Sequence, residues 1–263
     1  MTTAVLEIGG NADTADTGDS RAGGLGLGRW VIQPTVCVLA VVGSLVYVNF
    51  ADVTESERRS LSVSHLLTLL GQHLTISLGA TVLTCVIAIP LGIVLTRGRM
   101  RRFAKPIITV AGFGQAAPAI GLIALGAVIF GIGPLGAVVA LVVYGALPIV
   151  ANTVTGLDGV DQRLVEAARG MGMSAFWTLV RVELPLALRV IIAGVRTALV
   201  LIVGTAALAS FTGGGGLGQL ITTGIKLQQD VTLVVGAILV AALALFIDWL
   251  ARVVEIVAAP KGL

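Results

Sequence analysis

Charge is scarce in this chain: only 12% of its 263 residues are Asp, Glu, Lys or Arg, and none lies between Lys105 and Asp158. With 56% hydrophobic residues and a mean hydropathy of +1.01, that scarcity excludes an ordinary soluble domain and points to an integral membrane protein. Aromatic residues make up only 5% and show no cluster along the chain. Both cysteines, Cys37 and Cys85, fall in apolar stretches with no paired spacing and no neighbouring histidine, which argues for packing and against a disulfide or a metal site. The three lysines, Lys105, Lys226 and Lys261, follow Ala, Ile and Pro, so no Gly-Lys-[Ser/Thr] phosphate loop is present. No Ser-His-Asp or paired-carboxylate arrangement for catalysis is visible. Acids and histidines of the kind that ion-coupled carriers place at mid-membrane are also rare, with only Arg196 and Asp248 approaching span interiors. Arg196 is expected to snorkel and Asp248 to pair with Arg252 at i+4.

What is present is a series of membrane-length apolar runs. Six helical spans are expected, roughly 31–50, 73–96, 107–130, 135–155, 191–211 and 231–257. Their Leu, Ile, Val and Ala residues run unbroken, without the period-two alternation of a barrel strand. The fold class is therefore all-α. Arg97, Arg99, Arg101, Arg102 and Lys105 follow the second span, and Arg163, Arg169, Arg181 and Arg189 fall on the same side. The opposite side holds Arg58, Arg59 and Lys226. By the positive-inside rule both termini are expected in the cytoplasm, in a multi-pass protein of the cell membrane. The 97–105 cluster reads as a topology signal with some affinity for anionic lipid.

Residues 1–30 are polar and Gly-rich and are expected to form a disordered cytoplasmic tail ahead of a transmembrane domain over 31–263. The outer loop 51–72 is too short for a ligand-binding domain. Its Leu61, His65, Leu66 and Leu69 suit a short interfacial helix, with His65 and His73 as interfacial histidines. Gln115-Ala116-Ala117-Pro118 sets a helix-weakening proline beside an amide, and Pro148 with Asn152 repeats the combination one span later. Two readings of Gln115 and Asn152 stand side by side: they line a shared pathway, or they bond neighbouring helices. Thr212, Gly213, Gly214, Gly215 and Gly216 read as a flexible outer turn, either part of a gate or a simple loop.

The cytoplasmic loop over about 156–190 is long enough to fold into helices of its own. Asp161 or Asp158 can cap a first helix that ends at Gly170 and Gly172, and a second can run from Ser174 to Glu183, ended or bent by Pro185. Small Ala167 and Ala168 let such a helix enter a partner's groove, and Glu166 offers a charge to a basic residue there.

Glu166-Ala167-Ala168, then Gly172, then Val182 and Leu184-Pro185 resemble the cytoplasmic signature of permease subunits of type I ATP-binding-cassette importers. The resemblance covers about 73–248. Gln115, Pro118, Pro148, Asn152-Thr153, the run 155–161, Gly170-Met171-Gly172-Met173, Ala193 to Ala198 and Gly215-Gly216-Leu217-Gly218 bring it closest to permeases for glycine betaine, carnitine, choline and related osmoprotectants. It implies about six transmembrane helices in that permease fold and coupling helices that include Glu166, Ala167, Ala168, Gly170, Gly172, Leu184 and Pro185. It also implies separate ATPase subunits that carry the ATP and Mg, no cofactor or catalysis on this chain, a second permease subunit, identical or paralogous, and an extracytoplasmic solute-binding protein. The surroundings are membrane lipid, and no nucleic acid is involved. Ala116, Ala117 and Ala119 around Pro118, Ala151 before Asn152, and Gln162 depart from the subfamily pattern. The solute thus stays open between an osmoprotectant and another small molecule such as an amino acid. A secondary carrier, the reading from another class, would need a coupling site and often an inverted repeat, and neither is visible.

Overall fold

A computed structural model describes residues 25–258, so the tail expected over 1–30 lies outside the described residues as far as residue 24. The described residues form helices and connecting turns, with no strand among them. Their order is α1 (Leu25–Phe50), α2 (Glu55–Ser60), α3 (Val63–Leu95), a 3-10 helix (Gly98–Phe103), α4 (Ala104–Ala116), α5 (Ala119–Phe130) and α6 (Pro134–Asp158). There follow α7 (Gln162–Gly170), α8 (Ala175–Thr178), a π turn (Leu179–Glu183), α9 (Leu184–Thr205), a second 3-10 helix (Ala206–Thr212), α10 (Gly218–Leu227) and α11 (Asp230–Ala258).

Five stretches are long and apolar enough to cross a membrane: those of α1, α3, α6, α11 and the run 175–212 that contains α9. The span expected over 107–130 is not one straight helix. α4 and α5 meet at a 95° bend over Ala117 and Pro118, because Pro118 lacks the amide that would continue the ladder and disfavours helical geometry at Ala117. A second correction concerns α3. It starts at Val63, ten residues before the expected boundary, so Leu66 and Leu69 belong to the span itself and only the short α2 lies apart. α2 opens on a capping box in which the Glu57 amide donates to Thr54 Oγ1 and the Thr54 amide donates to Glu57 Oε2.

α6 is the hub of the bundle and packs against α3, α4, α5 and α9. In lipid an apolar helix gains little from burial alone, so close van der Waals fit at small residues has to hold the bundle together. Gly126 of α5 and Gly136 of α6 bring two backbones together: a Cβ on Gly126 would lie 2.4 Å from the Gly136 carbonyl oxygen. Gly145 of α6 accepts the tip of Ile202 of α9, and Gly194 of α9 accepts Asn152 of α6. Around these seams Ile76, Ala80, Leu141, Ile202 and Ala206 form one buried cluster, and Ala88, Leu95, Ile149, Val154 and Ala198 belong to another nearer the 97–105 end.

Candidate functional site: the helical excursion between α6 and α9

Residues 159–183 leave the bundle after α6 and return to it at α9. Asp161 caps α7, its carboxylate accepting from the Arg163 amide at 2.9 Å, so of the two expected caps Asp161 is the one used. The strong amphipathicity of α7 decides its orientation. Val165 and Ala168 are buried, and Val165 joins the cluster of Leu157, Val160, Ala187 and Ile191, which seats the helix on the roots of α6 and α9. Glu166, Ala167 and Gly170 face outward, and Met171 beyond them is 78% exposed. Gly172 has φ +87° with nothing near a hypothetical Cβ, so glycine is required there by backbone conformation and not by space. Ser174 then caps α8 through the Trp177 amide.

The expected second helix over 174–183 is split into a single α turn and a five-residue π turn. Pro185 neither ends nor bends it: it sits in the first turn of α9, where a missing amide donor costs nothing. Phe176, 66% exposed, meets Trp177 edge-on at 5.8 Å, and the Arg181 guanidinium lies 4.4 Å from the centre of the Trp177 ring. The exposed residues of the excursion thus include Glu166, Ala167, Met171, Phe176 and Trp177 beside Arg163, Arg169 and Arg181. That composition suits docking against a protein better than contact with water. Leu184, half-buried, and Pro185, exposed, stand at its base.

The expected pathway residues are dispersed. Gln115 and Pro118 flank the α4–α5 bend, and the half-buried Gln115 side chain has no hydrogen-bond partner among the described residues. Asn152 donates to the Pro148 carbonyl of its own helix at 2.8 Å and stands against Gly194 of α9. Its hydrogen bond therefore stays within α6, and only van der Waals contact reaches α9.

At the far end of α9 the glycine run differs from its expectation. Thr212 begins no flexible turn: its carbonyl accepts from the Gly133 amide at 2.9 Å, and its hydroxyl donates to the Ala209 carbonyl at 3.1 Å. The Gly214 amide donates to Ala209 as well, and the Gly216 amide donates to Gln72 Oε1 at 3.0 Å. Gly215 and Gly216 are buried, with Gly216 against the His73 side chain. The absence of side chains here permits close seating between α3, the α5–α6 turn and the second 3-10 helix. His73 in turn is no interfacial histidine; it is 1% exposed, whereas His65 is exposed.

Three features escaped the sequence reading. α10 was not expected after the glycines; it lies along α11 with Gly224 against Leu233 and Gly236 of α11 against Leu220. Arg97 pairs with Glu183 and Arg101 with Asp158, so the basic cluster does structural work beyond topology. Arg196 does not snorkel alone. Its Nε donates to Asp248 Oδ1 at 2.9 Å and its Nη1 to Glu255 at 3.2 Å, while Arg252 and Gln33 both donate to Asp248 Oδ2. The expected Asp248–Arg252 pair exists inside that larger cluster, which joins α1, α9 and α11. The residue types were visible in the sequence, but only the Asp248–Arg252 contact has a spacing short enough to signal it.

This arrangement can be compared with known proteins. Residues 88–255 match the family described as "Binding-protein-dependent transport system inner membrane component". The chain is 42% identical over 193 residues to the glycine betaine/carnitine/choline transport system permease protein OpuCB of Bacillus subtilis, covering 73% of this chain and 88% of that one. It is 39% identical over 208 residues to the osmoprotectant import permease protein OsmW of Salmonella typhimurium, covering 77% and 95%. An inward-facing structure of the MetNI methionine ABC transporter superposes with a TM-score of 0.62 at 25% identity, covering 74% of this chain and 96% of that one. The helical excursion and the bent span thus fall within the matched residues, and the chain belongs to the family of binding-protein-dependent transport system inner membrane components.

Proposed function

We propose that this chain is the membrane-spanning subunit of an ATP-driven importer that moves a small osmoprotectant, such as glycine betaine, choline or carnitine, by alternating access. The observation that carries the reading is the exposure of Glu166, Ala167, Met171, Phe176 and Trp177 on an excursion whose helix α7 has its other face seated on α6 and α9. A partner that displaces this face displaces the roots of two spanning helices. The names of the similar permeases support the solute class. The partners are two cytoplasmic ATPase subunits holding ATP and Mg, a second permease subunit and an extracytoplasmic binding protein. The excursion lies on the cytoplasmic side with both termini. Closure of the ATPase pair draws two excursions together and shuts the inner side of the pathway, while the ends near Thr212 open; hydrolysis reverses the motion. Gln115, at the bent span and without a hydrogen-bond partner among the described residues, is the polar group we assign to the pathway, together with the Pro118 and Pro148 helix weaknesses.

The test is purification of this chain from its own membranes in mild detergent, identification of what accompanies it, and ATP-dependent uptake of labelled glycine betaine after reconstitution. An accompanying ATPase together with uptake is the expected result. An ATPase without uptake would overturn the solute assignment, and the absence of any ATPase would overturn the importer.

A further inference from the structure

α6 and α9 are continuous in the chain with the excursion 159–183, so any displacement of α7 reaches them through the backbone. α3 has no such continuity. Near its last turn Ile93 packs on the apolar cluster under the excursion, and the polar contact there is the ion pair of Arg97, whose side chain is 36% exposed, with Glu183. Glu183 is the last residue of the π turn, directly before α9, and its side chain is 5% exposed. π turns concentrate where a helix has to change its register for function. The neighbouring Arg101–Asp158 pair, at 3.2 Å, ties the other end of the excursion to the same 3-10 helix, but its side chains are 66% and 39% exposed and water weakens it.

The Arg97–Glu183 contact is incomplete. Arg97 Nε and Glu183 Oε1 are both buried and both lack a hydrogen-bond partner. One is a donor and the other an acceptor of the same pair, so they are the two halves of the second bond of a fork-to-fork arginine–carboxylate contact. Buried polar groups are rarely left unpaired, and a small rotation of the excursion against α3 would join them.

In the opposite half of α3, Gln72 accepts from Gly216 of the glycine run, and His73, packed on Gly216, meets the Val203 carbonyl of α9. From residue 72 to residue 97 the helix and its end reach about 37 Å, enough to span the hydrocarbon core. Resting on the importer reading above, we infer that Arg97 and Glu183 are positioning residues for transport: a joint that makes α3 a push rod between the excursion and the glycine run, with one bond made in this conformation and two in the other.

The experiment uses the reconstituted complex of this chain with its ATPase and binding protein, reading labelled glycine betaine uptake and ATP hydrolysis in the same vesicles. Arg97→Glu is expected to lower uptake about tenfold while the ATPase still co-purifies and hydrolysis continues, so that more ATP is spent per solute, a loss on the scale of ordinary coupling energies. The exchange variant Arg97→Glu with Glu183→Arg restores the ratio. Arg97→Lys, which keeps the charge but not the fork, falls between. A ratio of ATP to solute unchanged in Arg97→Glu would overturn the joint. So would failure of the exchange variant to restore it, or loss of ATPase association along with uptake. Wild-type vesicles that hydrolyse ATP but accumulate no betaine would instead fail the solute reading, and in those vesicles the joint is judged on the stimulation of hydrolysis by the binding protein, which Arg97→Glu is expected to lose and the exchange variant to regain; unchanged stimulation in Arg97→Glu would overturn it.

Discussion

His73 and Val203, 130 residues apart in the chain, meet at 2.9 Å where α3 crosses the end of α9. A carbonyl only accepts, so the histidine Nε2 carries the hydrogen, and its Nδ1 is left buried without a partner. His73→Leu keeps the apolar contacts and removes the donor. The expected cost is about 1–3 kcal/mol, the penalty of an orphaned buried acceptor, read as a lower thermal midpoint by circular dichroism in detergent.

Glycines in this bundle are not equivalent. A Cβ on Gly218 would lie 1.8 Å from the Ala207 carbonyl oxygen, whereas one on Gly71 would meet nothing within 4 Å. Gly218→Ala therefore forces backbone to move and is expected to lower stability by about 1–3 kcal/mol. Gly71→Ala, in mid-helix, is expected to raise it by about 0.5–1 kcal/mol. Equal midpoints for the two variants would contradict the close seating of the glycine run.

The excursion predicts loss of transport without loss of protein. Gly172→Asp places a side chain on a φ of +87°, and Glu166→Lys reverses the charge of the exposed face. Both are expected to abolish ATP-dependent uptake while membrane insertion, followed by antibody in isolated membranes, stays at the wild-type level. Neither touches the bundle, since Glu166 is exposed and the space around Gly172 is open.

Asp248 takes donors from Arg196, Arg252 and Gln33 at once. Asp248→Ala leaves Arg196 with Glu255 and takes from Arg252 its partner among the described residues. Breaking a fully buried pair costs ~3–5 kcal/mol, and because Arg196 and Asp248 keep 27% and 18% exposure the expected loss is smaller, about 2 kcal/mol. Arg196→Lys is expected to give part of that loss, since an ammonium lacks the fork that reaches Asp248 and Glu255 together. Thermal midpoints of the two variants check both the size and the order.

Most of the bundle was legible because its signal is local. Apolar runs marked α1, α3, α6, α9 and α11, Pro118 marked the break, and Asp161 and Gly172 marked the limits of α7. The angle at Pro118 was not legible, because a proline removes a bond without saying where the next helix will pack. Four successive glycines read locally as looseness, yet Gly215 and Gly216 are buried because Gln72 and His73, more than 140 positions earlier, close over them. Arg97 was read as a topology charge for the same reason: Glu183 stands 86 positions away, beyond any helical spacing. Pro185 misled in the opposite sense, since a residue that stops a helix in its interior starts one at its first turn.

The cluster of Arg196, Arg252, Asp248 and Glu255 carries an electrical consequence. With all four groups ionised, two positive and two negative charges sum to zero. Carrying one unbalanced charge through 100 mV takes about 2.3 kcal/mol, so a lone arginine on a tilting α9 would make every cycle work with or against the membrane voltage. Paired as they are, α1, α9 and α11 can shift together without moving net charge through the field. Import of a zwitterion is then expected to run at the same rate in polarised and depolarised vesicles.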